Sequence, residues 1–180
     1  MGVYFQPAEV PKFNSGENAF MKKMFLLVNV VALTLVAAAL LPAQSNPFVG
    51  TWKLNLANSK FNTAQPPKNQ TRTVEAQGDG AKISFEGVAA DGSRMAYSYT
   101  TKYDGKESPI SGVGQPNGAD TIDIKRIDAN TTSSTLKKTG KVVGTTRTVV
   151  SKDGKTTTLT SKGVDANGKP RNVVSAYDKQ

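Results

Sequence analysis

The chain has 180 residues, 23 Lys and Arg against 14 Asp and Glu, a formal net charge of +9, and neither histidine nor cysteine. Without those two residue types there is no Ser-His-Asp or Cys-His catalysis, no disulfide, no lipid anchor on an N-terminal cysteine and none of the usual zinc sites. The basic residues are scattered among turns and strand faces rather than clustered as a nucleic-acid surface requires.

Residues 1–20 hold Pro7, Pro11 and Gly16 with mixed charges and no periodicity. They read as a disordered or mis-assigned N-terminal extension, with Met21-Lys22-Lys23 resembling a natural start; a long disordered n-region is the other reading. Lys22 and Lys23 precede an apolar run over 24–41, interrupted only by Asn29 and Thr34. Pro42, which lacks an N–H and clashes with the preceding turn, ends the helix. Ala43-Gln44-Ser45 then supplies a small-x-small site. Residues 21–45 are therefore predicted to be a secretory signal helix, cleaved after Ser45 or after Ala43. The alternative is an uncleaved anchor through 24–41, because a bilayer span needs about 20 apolar residues. Either way the positive flank stays cytoplasmic and the following domain is exported, periplasmic or secreted.

Residues 46–180 leave one domain of about 135 residues with a net charge of about +8. That balance suits anionic partners, such as acidic lipid or a carboxylate ligand, and equally ordinary solubility. Turn signals recur at ten- to fifteen-residue intervals over much of the chain: Gln77-Gly78-Asp79-Gly80, Ala90-Asp91-Gly92, Tyr103-Asp104-Gly105-Lys106, Asp128-Ala129-Asn130, Lys152-Asp153-Gly154-Lys155 and Ala166-Asn167-Gly168. Gly, Asn and Asp accept the positive φ of tight hairpins. The Thr-, Val-, Ile- and Tyr-rich runs between them predict strands near 49–55, 71–76, 82–87, 94–103, 121–126, 132–138, 142–151, 156–162 and 171–177. Leu56–Phe61 is expected to form a single helical turn at most. Two longer loops, 57–69 and 108–119, are rich in Pro or Gly, and the second has room for a short strand around 108–111. The result is an all-β antiparallel up-and-down meander, closed as a barrel or folded as a sandwich.

Alternation selects a face. Met95, Tyr97, Tyr99, Thr101 and Tyr103 share one side of a strand, matched by Ile83 and Phe85 before it and by Ile122 and Ile124 after it, with Arg126 continuing that face. Small Thr, Ser and Ala side chains elsewhere leave room inside a barrel of about eight strands for one ligand. The ligand-binding candidates are Phe85, Tyr97, Tyr99, Tyr103 and Ile124, with Arg126 or Arg147 meeting an anionic head if inward.

The mature start, Asn46-Pro47-Phe48-Val49-Gly50-Thr51-Trp52-Lys53-Leu54-Asn55, carries a Gly-x-Trp that resembles the opening of lipocalins and cytosolic fatty-acid-binding proteins. The final Val173-Val174-Ser175-Ala176-Tyr177-Asp178-Lys179 resembles the closing strand of the fatty-acid-binding proteins. Both ends are also similar to small exported bacterial lipocalin-like proteins of uncharacterised function. The resemblance implies an 8–10-stranded lipocalin-like β-barrel in which Gly50 turns the chain into the first strand and Trp52 plugs one end. It further implies an Arg stacked on that Trp, for which Arg171 is the first candidate and Arg147 the second, a contact worth about 0.5–2 kcal/mol. Ser175 stands where the fatty-acid-binding proteins carry the Arg of an Arg-x-Tyr carboxylate clamp, and 57–69 is too short and Pro-rich for their two-helix lid.

The expected function is an exported binding protein for a small apolar or amphipathic molecule, with or without an anionic head. The alternative is a filled-barrel interaction or structural protein of the cell envelope with a basic surface. No enzyme is expected: Glu86, Asp91, Glu107, Asp120 and Asp123 sit mostly in turns or on outward faces. No metal is expected either, since Asp165-Ala166-Asn167-Gly168 lacks the remaining ligands of a calcium loop. Cofactors and nucleic acid are likewise not expected.

Overall fold

The computed structural model describes residues 1–2, 9, 46–62, 64–164 and 168–180. The chain divides into two units, Met1–Gln44 and Ser45–Gln180. The predicted signal segment with its cleavage site, and nearly all of the N-terminal extension, lie outside the described residues. In the second unit the strands are β1 (Gly50–Lys60), β2 (Asn69–Gln77), β3 (Gly80–Val88), β4 (Arg94–Thr101), β5 (Asp104–Pro109), β6 (Ser111–Val113), β7 (Thr121–Arg126), β8 (Thr131–Lys138), β9 (Lys141–Val150), β10 (Thr156–Val164) and β11 (Pro170–Lys179). Among the described residues the only helical segment is a single 3-10 turn, Pro116–Gly118.

All eleven strands belong to one antiparallel sheet, in the order β5-β7-β8-β9-β10-β11-β1-β2-β3-β4-β6, which curls into a nearly closed barrel. The first and last strands pair, with Trp52 opposite Lys179 and Leu54 opposite Tyr177. All nine predicted strands are present. The count exceeds the expected eight to ten because the segment after β4 contributes two more, and there the up-and-down order is broken. Tyr103-Asp104-Gly105-Lys106, predicted as a hairpin, does not reverse the chain. Tyr103 takes a φ of 58° and its carbonyl accepts from the N–H of Arg126 at 3.1 Å. The chain therefore runs on into β5, which pairs with β7, before β6 returns to pair with β4.

Leu56–Phe61, allowed at most a single turn, forms none, and the loop expected over 57–69 begins later. β1 instead continues to Lys60, with a bulge between Asn55 and Lys60. Asn55 makes the bulge possible. Its Nδ2 donates to Asp178 Oδ2 at 2.7 Å, and its Oδ1 accepts the Asn58 N–H at 3.1 Å. Ser59 Oγ donates to the Asn55 carbonyl at 2.6 Å and accepts the Ala176 N–H at 2.9 Å. A hydroxyl thus replaces the ladder acceptor that the bulge removes.

Period-two alternation decides what lies inside. On β2, Gln70, Arg72 and Val74 are buried; on β3, Ala81, Ile83 and Phe85. The largest fully buried side chains are Trp52, Tyr177, Phe48, Ile83, Val74, Val150 and Thr157. Each large apolar one contributes about 1.5–3 kcal/mol. Trp52 and Phe48 lie together, the indole Nε1 donating to the Phe48 carbonyl at 2.9 Å.

Candidate functional site

The core does not fill the barrel. A cavity of about 360 Å³ remains, within the usual range for small-molecule sites. Its two walls differ chemically because they come from different strands. The β2–β4 wall is aromatic. Register carries one inward row across it, from Trp52 to Arg72 to Phe85 to Tyr97. Phe85 and Tyr97 stack with centroids 4.9 Å apart, and Tyr99 lies 6.5 Å from Phe85.

Arg72 is the unusual member of that row. It is 4% exposed, its guanidinium carbon sits 5.9 Å from the Phe85 ring centre, and its Nε and Nη1 are buried without a hydrogen-bond partner. A buried guanidinium with unpaired donors is costly. Among the described lining residues there are three cations, Arg72, Lys162 and Arg171, and no carboxylate to pair with them. Beside Arg72, the Tyr177 hydroxyl donates to Gln70 Oε1.

Burial, opposed only in part by the Arg72 charge, pushes the Tyr99 phenol up to about 12. It drives Tyr97 and Tyr177 upward as well. All three stay neutral at physiological pH, so the cation keeps its field uncancelled.

The opposite wall, β8–β11, is lined with hydroxyls. Ser134, Thr146 and Ser161 form one cross-strand row, and Thr132 and Thr148 lie on the next, which continues through Leu159 to Ser175. Thr146 Oγ1 and Ser161 Oγ are 2.9 Å apart. At the far end of β11, the 3-10 turn folds against the barrel rim. Asn117, at φ 55°, donates from Nδ2 to the Val143 carbonyl at 3.0 Å and accepts from Arg171 Nη1 at 3.1 Å. Gly144 and Gly163, paired across β9 and β10, leave the space for it. A Cβ on Gly163 would come within 3.1 Å of Asn117 Nδ2 and 2.4 Å of the Val143 carbonyl oxygen.

Of the residues predicted to meet a ligand, Phe85, Tyr97, Tyr99, Tyr103 and Ile124 all line this cavity. The predicted arginines do not. Arg126 lies at the base, 4.5 Å from the Tyr103 ring centre and 5.2 Å from that of Phe48, with Nη2 donating to Asn46 Oδ1 at 3.2 Å. Arg147 is exposed on the outward face of β9. Neither is part of the lining. Arg72 is the residue that was missed. The signal was present, since it stands two positions from Val74 in a predicted strand and so shares its inward face.

The plug also differs from expectation in one partner. The cation over Trp52 is Lys179, with Nζ 5.1 Å from the ring centre, not Arg171 or Arg147. Arg171 lies three inward positions along β11 from Tyr177, at the Asn117 rim. Gly50 acts as more than a turn. At φ 136° it passes directly beneath the lysine, and a Cβ there would sit 2.8 Å from Lys179 Cε.

No known protein family profile matches this chain, and no curated protein does either. Among solved structures, the zebrafish ileal bile acid-binding protein complexed with cholic acid is similar, at 15% identity over 74% of this chain and 99% of that one, with a TM-score of 0.47. The nearly closed antiparallel barrel described above stands on the strand order and register of this chain itself.

Proposed function

We propose that this protein binds a small amphipathic acid, its apolar body against Phe85, Tyr97, Tyr99 and Ile124 and its ionised head on Arg72. The observation that carries this is the guanidinium buried against the cavity with two nitrogens, Nε and Nη1, unpaired and no carboxylate among the described lining residues. An anionic head supplies the missing acceptor, and such charge-assisted bonds are the strong ones. The open volume argues against the filled barrel that a purely structural protein would have. We further read residues 21–45 as a secretory signal, which would make the ligand one met outside the cytoplasm.

Native mass spectrometry of the protein purified from two unrelated hosts tests the binding. A bound acid is expected in both, and its loss from the Arg72→Met variant. Repeatedly ligand-free protein that also fails to take up added fatty acid would refute the reading. N-terminal sequencing of the protein recovered from outside the cytoplasm tests the signal, with Asn46 or Gln44 as the expected first residue; an intact Met21 in the cytoplasm would refute it.

A further inference from the structure

The hydroxyl wall narrows the class of acid. This inference rests on the reading of Arg72 as the head site. A plain alkyl chain gains nothing from Thr and Ser hydroxyls, yet the β8–β10 face of the cavity carries a run of them where apolar residues would serve an alkyl ligand better. Thr132, Ser134 and Thr148 are each at least nine-tenths buried, and all line the same cavity as Arg72.

Their position along the barrel is fixed by register. Tyr177, whose hydroxyl meets Gln70 beside Arg72, pairs with Thr157 on β10. Two residues further along β11, Ser175 begins the row that runs through Leu159 to Thr148 and Thr132. Four residues along, Val173 begins the row of Ser161, Thr146 and Ser134. At about 3.3 Å per residue, these rows lie roughly 7 and 13 Å along the strand from Tyr177, whose hydroxyl reaches the Gln70 amide beside Arg72. The polar flank therefore faces the middle of a bound chain, not its head or its tail. Phe85 and Tyr97 share the row of Arg72 and so lie at the level of the head.

We propose that the cavity selects amphipathic acids bearing hydroxyl groups on one flank at mid-length over unsubstituted alkyl acids. Two matched hydroxyls, each making one neutral hydrogen bond, give a preference of about ten-fold.

The test is displacement of anilinonaphthalene sulfonate from the full-length protein by three acids of equal length. They are stearate, a dihydroxystearate with its diol at mid-chain, and ω-hydroxystearate. The expected result is that the mid-chain diol binds about ten-fold tighter than stearate while the ω-hydroxy acid shows no such gain. The ratio of diol to stearate affinity should fall to about one in a Thr148→Val/Ser161→Ala variant whose cooperative unfolding shows that it is folded. Equal binding of all three acids by the wild type, or a diol preference that survives the double substitution, overturns the proposal while leaving the Arg72 head site standing. Failure of every acid to displace the probe overturns the head site and this proposal with it.

Discussion

Replacing Arg72 with methionine should strengthen the empty protein and weaken ligand binding at once. Methionine keeps the length and packing of the arginine stem and removes the two donors, Nε and Nη1, that are buried without partners. Each such orphan costs about 1–3 kcal/mol. Against that gain stand the desolvated cation–π contact to Phe85 at 5.9 Å, about 2 kcal/mol, and an imperfect fit of the new side chain, up to about 1.5 kcal/mol. At the middle of these ranges the net is a stabilisation of about 1 kcal/mol, or a rise in Tm of about 3–4 °C for a domain of this size. Binding moves the other way. Loss of even one charge-assisted hydrogen bond, about 1.5–3 kcal/mol, weakens an acid about 10- to 100-fold. Urea denaturation of delipidated protein and probe displacement by stearate measure the two halves. A variant that is less stable by a kilocalorie or more, or that binds stearate as the wild type does, would refute the idea that Arg72 is held in readiness for an anion.

Three further outcomes are expected. Gly50→Ala places a Cβ 2.8 Å from Lys179 Cε at a φ of 136°; it should cost about 1–3 kcal/mol and expose Trp52 to quenchers, seen by denaturation and acrylamide quenching. Asn117→Ala removes the bonds to Val143 and Arg171; it should cost about 1–2 kcal/mol and speed proteolytic cleavage around the 3-10 turn. The phenols of Tyr97, Tyr99 and Tyr177 are raised above 10.0 by burial. The folded state therefore holds protons that the unfolded state releases, and stability falls as pH climbs. Their contribution is complete below pH 10 and is lost as pH rises through about 12 and beyond. Tyrosinate absorbance should accordingly develop together with unfolding, and a titration of these phenols near 10 in folded protein would contradict the burial.

The strands were legible because Thr, Val, Ile and Tyr alternate between Gly- and Asp-marked turns, and the inward aromatic face followed from Tyr97 and Tyr99 sharing a parity. What the pattern could not supply was register. That Lys179 rather than Arg171 covers Trp52 follows from the β1–β11 alignment, which is long-range and leaves no local trace. Arg171 is on the same strand and on the inward face, yet three inward positions up from Tyr177. The β5–β6 exchange was hidden for a different reason. Asp104-Gly105 is good hairpin chemistry, and nothing in propensity announces that Tyr103, a bulky residue, takes the left-handed conformation that sends the chain onward. Arg72 was readable from its spacing to Val74. An arginine is by default an outward residue on a strand, and only the cavity beside it reveals why this one is not.

The most direct measurement is the carboxyl-carbon NMR spectrum of a carboxyl-labelled fatty acid bound to the protein, followed as pH is lowered. A head group seated on the buried Arg72 should give one bound resonance that stays ionised well below the ordinary carboxylate range, and Arg72→Met should restore ordinary titration or abolish the bound signal. A bound carboxyl that titrates as it does in water, unaffected by that substitution, would contradict the account.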